Sequence, residues 1–330
     1  MADESKRLSR KWLYGPFVVA GLILLAYRMV WGYAADQMKV GLTDWVDVQR
    51  AAGYDITHDA ITATGFPFFL RVHIDNVEAQ SPTPWEWRTP RITLDALPYD
   101  LNKLIITIPK GHSVSEPIGR QWDIVADDWR AGLYRDPDTG WRYSMTIAEA
   151  SAQSGGGELI DAGSIIFDIA PEAGGPETIT LNLAASNLRF TGSEEPVTLE
   201  TLQTSISLER ADALVGVDPL ALWRREGGAV AIHGLIALFE GSQLNASGRI
   251  SVDKDNHLTG VLDSELRDPA GAARLFGKIG MLSNEEAELA AAGLALYAMA
   301  GRGRIAEQIE MRSGAAYLRG IKIADLPALD

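Results

Sequence analysis

Five histidines, His58, His73, His112, His233 and His257, are the side chains best suited to proton transfer or metal binding near neutral pH. Their spacing assembles neither chemistry: there is no HExxH helix motif and no His-x-His pair. His73 and His233 fall in alternating, strand-like runs and read as sheet-face side chains. Cysteine is absent, which removes thiol nucleophiles, thiolate metal ligands and disulfides together. For serine chemistry a GxSxG elbow is missing, and "GSQLNASG" has the wrong spacing in a strand-like setting. "GAARLFGKI", Gly271 to Ile279, approaches a phosphate-binding loop. It has one residue too many between its glycines, and Ile279 stands where a magnesium-binding hydroxyl is needed. The adjacent carboxylates Asp127/Asp128, Glu194/Glu195 and Glu285/Glu286 do not form an acid–base pair, because neighbours on a strand point to opposite faces. The third pair suits the first turn of a helix. These readings predict a non-enzymatic chain with no catalytic residues, metal or cofactor.

Aromatic residues are the remaining candidates. "TGFPFFLRVHID", Thr64 to Asp75, crowds three phenylalanines around a proline and then alternates apolar and polar residues. Gly65 and Pro67 predict a corner that feeds a strand. Phe66, Phe68 and Phe69, with Trp85 and Trp87 two apart on one face of an extended segment, are candidate contacts for acyl chains. The same residues could instead fill the core of a broad sheet.

Upstream lies the element that positions them. Lys6, Arg7, Arg10 and Lys11 precede a 24-residue apolar run, Trp12 to Ala35, broken only by Arg28. As a helix it spans about 36 Å, enough for a hydrocarbon core of ~30 Å. Arg28 sits in the distal third, where a long side chain snorkels, and Trp12 and Trp31 flank the run as interfacial anchors. The positive-inside rule puts residues 1–11 in the cytoplasm as a basic tail, with 12–35 as the transmembrane anchor. A cleavable signal fits less well, because "WGYAAD" offers Tyr33 where a small residue belongs. Residues 1–33 carry a net charge of +3, so the rest carries −17 of the chain's total of −14. An exported portion that acidic repels nucleic acid and anionic headgroups.

Residues 36–53 keep a helical period and predict an amphipathic stalk, lying either on the membrane or against the following domain. From residue 54 the period is two, through Leu70–Ile74, Ile92–Ala96, Ile179–Leu183, Ile206–Leu208 and Ile250–Val252. Such half-apolar strands build antiparallel sheets. Asp218-Pro219, Asp268-Pro269 and the capping box Ser283/Glu286 predict three helices, the last with an apolar stretch from Ala287 to Ala300 that should pack on the sheet. The fold class is therefore α+β and β-dominated: a membrane helix, then one large, mostly antiparallel, curved sheet over 54–330 with a few capping helices. Residues 151–177, rich in glycine, read either as a joint between two lobes or as a long decorated hairpin.

The succession of basic tail, anchor, "GLTDWVDVQRAAGYDI", "TATGFPFFLRVHIDNVEA" and "WEWRTPRITLDALPYDLNKLIITIP" resembles a bacterial family of membrane-anchored envelope proteins known only as a domain of unknown function. The C-terminal half, with "GSQLNASGRISVDKDNHLTGVLDSELRD" and "YLRGIKIADLPAL", also resembles the strand-rich ends of AsmA-like proteins. The first resemblance implies residence in the bacterial inner membrane with the bulk of the chain in the periplasm. The second implies lipid handling or envelope homeostasis through an apolar sheet face. An anchored protein-interaction module is the alternative, and a hydrolase of envelope polymers a further one. Neither family supplies catalytic residues to carry over.

Overall fold

The computed structural model describes residues 10–330 apart from 83–84, 118, 173–176, 193–195, 215–218, 279–282, 301–302, 327 and 330. Lys6, Arg7, Asp218 and Glu194/Glu195 thus lie outside the described residues, as do the side chains of Arg10, Lys11 and Trp12.

Helix α1 (Arg10–Ala51) runs unbroken through the predicted anchor and stalk. Strands β1 (Asp55–Thr57) and β2 (Ile61–Thr64) follow, then β3 (Leu70–Gln80), β4 (Glu86–Leu97), β5 (Asp100–Thr107) and β6 (His112–Ser115). The longest strands come next: β7 (Gln121–Asp136), β8 (Gly140–Ser154), β9 (Leu159–Pro171), β10 (Thr178–Thr191) and β11 (Val197–Glu209). A 3-10 turn (Ala211–Leu214) and α2 (Pro219–Arg225) lead to β12 (Ala229–Phe239), β13 (Ser242–Val252) and β14 (Leu258–Arg267). Helices α3 (Pro269–Lys278) and α4 (Asn284–Ala300) precede β15 (Arg304–Arg312), β16 (Ala315–Leu318) and β17 (Ile321–Asp325).

All pairings are antiparallel and join near neighbours in sequence, giving one 17-stranded meander. At its start, β1 and β2 lie end to end along β3, and β5 and β6 lie end to end between β4 and β7. The β8–β9 and β9–β10 ladders carry the sheet through residues 151–171, the described strand part of the glycine-rich segment 151–177. Pro219 and Pro269 open their helices as expected. Ser283 and Glu286 form the capping box, with Ser283 N–H donating to Oε2 at 2.8 Å.

The last residues of the expected anchor and the first of the stalk lie against the domain. Trp31, Ala34, Ala35 and Met38 of α1 pack onto Leu70, Val72, Ile74 and Leu94, and Leu70 and Val72 are fully buried. Two smaller clusters seal the other end. Trp223 and Ala213 cover Leu208, Val230 and Val252, and Ala272 and Leu275 cover Leu202, Ala237 and Phe239. Helix α4 departs from expectation. It packs chiefly on α3, where Ala287 would touch a Cβ on Gly277, and leaves Leu289, Leu296 and Met299 exposed instead of turning them onto the sheet.

A compact chain of 35.8 kDa would expose about 13,000 Å². This one exposes 20585 Å², in keeping with a long free helix and a sheet whose core clusters with helices lie only at its ends. Because α1 docks on the strand that starts with Leu70, replacing Leu70 by Ala should cost about 2–5 kcal/mol. The thermal midpoint of the full-length protein in detergent, followed by circular dichroism, should fall by several degrees; an unchanged midpoint contradicts this packing.

Candidate functional site: an uncovered apolar face

Residues directly opposite one another in an antiparallel ladder share a face, so the registers trace side chains across the whole sheet. One row passes through Leu70, Ala96, Leu104, Leu133, Tyr143, Ile169, Leu181, Ile206 and Ile232. The next passes through Val72, Leu94, Ile106, Ala131, Met145, Phe167 and Leu183, and a third includes Trp129, Ile147, Ile165, Ala185 and Leu202. The opposite face carries Arg71, His73, Thr93 and Asp95 at one end and Arg142, Ser144, Asp168, Asn182 and Ser205 further on. One side of the meander is thus apolar along its length.

Helices cover only the two ends of that side. Among the described residues, no helix contributes to a core cluster with β7, β8, β9 or β10. Here a line of irregular positions crosses the sheet. The ladders skip Asp127 opposite Glu149, Glu149 opposite Gly163, Gly163 opposite Asn187, and Asn187 opposite Glu200. Glu149 and Asn187 take left-handed φ angles of 46° and 53°, which bends a strand and flips its alternation. Beside this crease Ala126, Ile147, Ala162 and Ala185 are only 4–7% exposed with no layer above them. Asp127, Glu149 and Asn187 are exposed. These mostly small side chains are shielded by their neighbours in the sheet without a helix above them, while a cleft of about 320 Å³ opens on the opposite face, lined by Ile166, Asn182, Gln203 and Ile236.

The aromatic candidates lie elsewhere. Phe66 packs between Tyr27 and Trp31 of α1, ring centroids 6.0 and 5.8 Å away, and Trp31 Nε1 donates to the Phe69 carbonyl at 3.0 Å. Phe68 is 80% exposed beside them. The Arg28 guanidinium lies over the rings of Trp31 and Phe66 at 5.3 and 5.5 Å. The corner therefore packs on α1, away from the uncovered stretch of β7–β10. Gly65 makes this packing possible: its φ is +99°, and a Cβ there would stand 2.6 Å from the Phe69 carbonyl oxygen. Trp87 packs beside the first core cluster, and Trp85 is exposed at the sheet's other edge.

Two polar features escape a reading of the sequence. His112 is buried between Trp87 and Trp129, at the wall of a cleft of about 480 Å³ also lined by Val77, Thr89 and Ile124; burial lowers its pKa. On the polar face Ser207, nearly fully buried, donates to Glu172 at 2.5 Å and lies 2.7 Å from His233 Nε2. Thr180 also donates to Glu172, at 3.0 Å. A hydroxyl has one proton. With that proton on Glu172, His233 must donate to Ser207, the reverse of a base activating a nucleophile. The group ties the end of β9 to β10, β11 and β12. Among the described residues, no three His, Asp or Glu side chains converge as a metal site.

Hydrogen bonds from the Ser207 and Thr180 hydroxyls hold the Glu172 carboxyl below its ordinary range. A lowered folded value stabilises the protein above the unfolded carboxylate pKa and is lost as pH falls through the folded one. Ser207→Ala should therefore lower the thermal midpoint at neutral pH and change it little in acid, where Glu172 is protonated in both states. An equal loss at both ends of the pH range contradicts this role.

No curated protein and no solved structure matches the chain. One family model, described as "Uncharacterized protein conserved in bacteria (DUF2125)", matches residues 31–327. The match begins at Trp31, the first α1 residue buried on the sheet, and takes in every strand. The AsmA-like resemblance of the C-terminal half has no counterpart among these findings. The chain belongs to the DUF2125 family of uncharacterised bacterial proteins.

Proposed function

We propose that the protein is a non-enzymatic, single-pass component of the bacterial cell envelope that holds lipid acyl chains on the uncovered apolar face of β7–β11. The observation that carries this reading is the uncovered run of apolar rows through Met145, Phe167 and Leu183, beside the small buried residues Ala126, Ala162 and Ala185. Five strands at about 4.8 Å spacing make a stretch of roughly 20 Å, on the scale of an extended acyl chain. The lining offers no fixed charge or convergent polar group for a reacting substrate, which favours holding over chemistry.

Helix α1 is long and apolar enough to cross a membrane. The basic residues Lys6, Arg7, Arg10 and Lys11 before it support a cytoplasmic N-terminus in the inner membrane, with the sheet in the periplasm. The net charge of −17 beyond residue 33 argues against nucleic acid as a partner, so contact with lipid would be through apolar surface rather than charge. The exposed Leu289, Leu296 and Met299 of α4 favour a second reading, an anchored interaction module.

Native mass spectrometry of the full-length protein, extracted in mild detergent without added lipid, separates the two. Phospholipid should co-purify, and Met145→Asp combined with Leu183→Asp should remove it while Gln203→Asp on the polar face does not. Retention of lipid by the double variant, with its fold intact, contradicts the proposal. A lipid-free protein bound to other envelope proteins favours the interaction module.

A further inference from the structure

We infer that the Phe66–Phe69 corner is seated in the membrane interface, so that the folded domain rests against the bilayer and completes a span for which the free part of α1 is too short. The inference rests on α1 crossing the membrane. Counting from Lys11, the last basic residue before the apolar run, Tyr27 lies about 24 Å along the helix, and a hydrocarbon core is ~30 Å thick. Yet Tyr27 is already engaged by the domain, its hydroxyl donating to the Pro67 carbonyl, and Trp31 is buried one turn later. About 20 residues are needed for a span, which brings the distal boundary of the hydrocarbon to the level of Trp31. The corner docks within that boundary.

Its side chains suit the position. Phe68 is 80% exposed and Tyr99 76%; Tyr99 lies in the β4–β5 turn at the same edge, since Ala96 is opposite Leu70. A tyrosine at such a boundary belongs to the interfacial belt, and the exposed ring of Phe68 beside it is apolar surface that the hydrocarbon edge would take up. Arg28 turns along the helix away from the bilayer: its Nη1 stands 3.3 Å from where a Cβ on Gly32 would be, one turn further on. Arg71, paired with Asp95 and 5.0 Å above the Phe69 ring, adds a guanidinium at headgroup depth. A mismatch of several ångströms can be relieved by thinning the bilayer or by a partner surface that extends the apolar height. Here the chain supplies that surface itself, some forty residues after the span.

The absence of cysteine makes the test direct. Phe68→Cys, Tyr99→Cys, Leu22→Cys and Gln203→Cys variants of the full-length protein would each carry one nitroxide label, in vesicles of phosphatidylethanolamine and phosphatidylglycerol. Collision with oxygen, which concentrates in lipid, is compared with collision with a water-soluble nickel chelate. Labels at 22, 68 and 99 should be shielded from nickel several-fold relative to the label at 203. Labels at 68 and 99 that match 203 while 22 is shielded overturn the seating. Exposure of 22 as well overturns the span itself. Neither outcome bears on lipid held by β7–β11, which is read by co-purification.

Discussion

A sheet of seventeen strands with one apolar side has more surface to remove from water than its few helices can cover, and this imbalance governs the molecule. Each strand alternates, so every added strand extends the apolar side by one row element. Helix α1 covers the first strands, while α2 and α3 cover the two ends of β11–β14 and leave Thr204 and Ile206 in the middle of β11 outside their clusters. Between them the irregular positions Glu149, Gly163 and Asn187 cross the sheet, and Ile147 and Ala185 beside them are buried without a helix above. The half-buried apolar surface that remains is the one proposed to hold lipid.

The same economy shapes the anchor. Helix α1 is long and apolar enough to cross a membrane and also supplies the first core residues, so under the proposed function its two tasks compete for length. Trp31 to Met38 pack against Leu70 and Val72, which in that reading sets how near the sheet sits to the bilayer. The Gly65–Phe69 corner is the joint, with Gly65 providing a conformation closed to other residues and Phe66 filling the space between Tyr27, Arg28 and Trp31. Cross-strand ion pairs such as Arg71–Asp95 and Arg249–Glu209 dress the polar face. Being half-exposed, such pairs each contribute at most about 1 kcal/mol, so the fold rests on apolar packing.

Much of this is legible in the sequence, for physical reasons. The alternation of Leu70, Val72 and Ile74 with Arg71, His73 and Asp75 announces both the strand and its two faces, and the Ser283–Glu286 box announces a helix start. The crease is not legible. Glu149 and Asn187 look like ordinary polar strand residues, and only the alignment of irregular positions on neighbouring strands gives them a meaning. Ser207, His233 and Glu172 likewise come together through registers rather than spacing. The Phe corner invites an assignment to the lipid-holding face because its composition suits one. That composition serves the anchor instead, a distinction that depends on which surface α1 covers. Helix α4 misleads in the opposite way, since its apolar residues imply a sheet contact that the α3–α4 pairing replaces.

The proposed function requires that the apolar face of β7–β11 meet lipid in the cell. A photoreactive benzoyl-phenylalanine placed at Met145 or Leu183 of the full-length protein, and at Gln203 as the polar-face control, would report this directly in living cells. Irradiation should give a lipid adduct at Met145 and Leu183, seen by mass spectrometry of the intact protein, and none at Gln203. Adducts to another protein at the two apolar positions, or the same adducts at all three, would contradict the account.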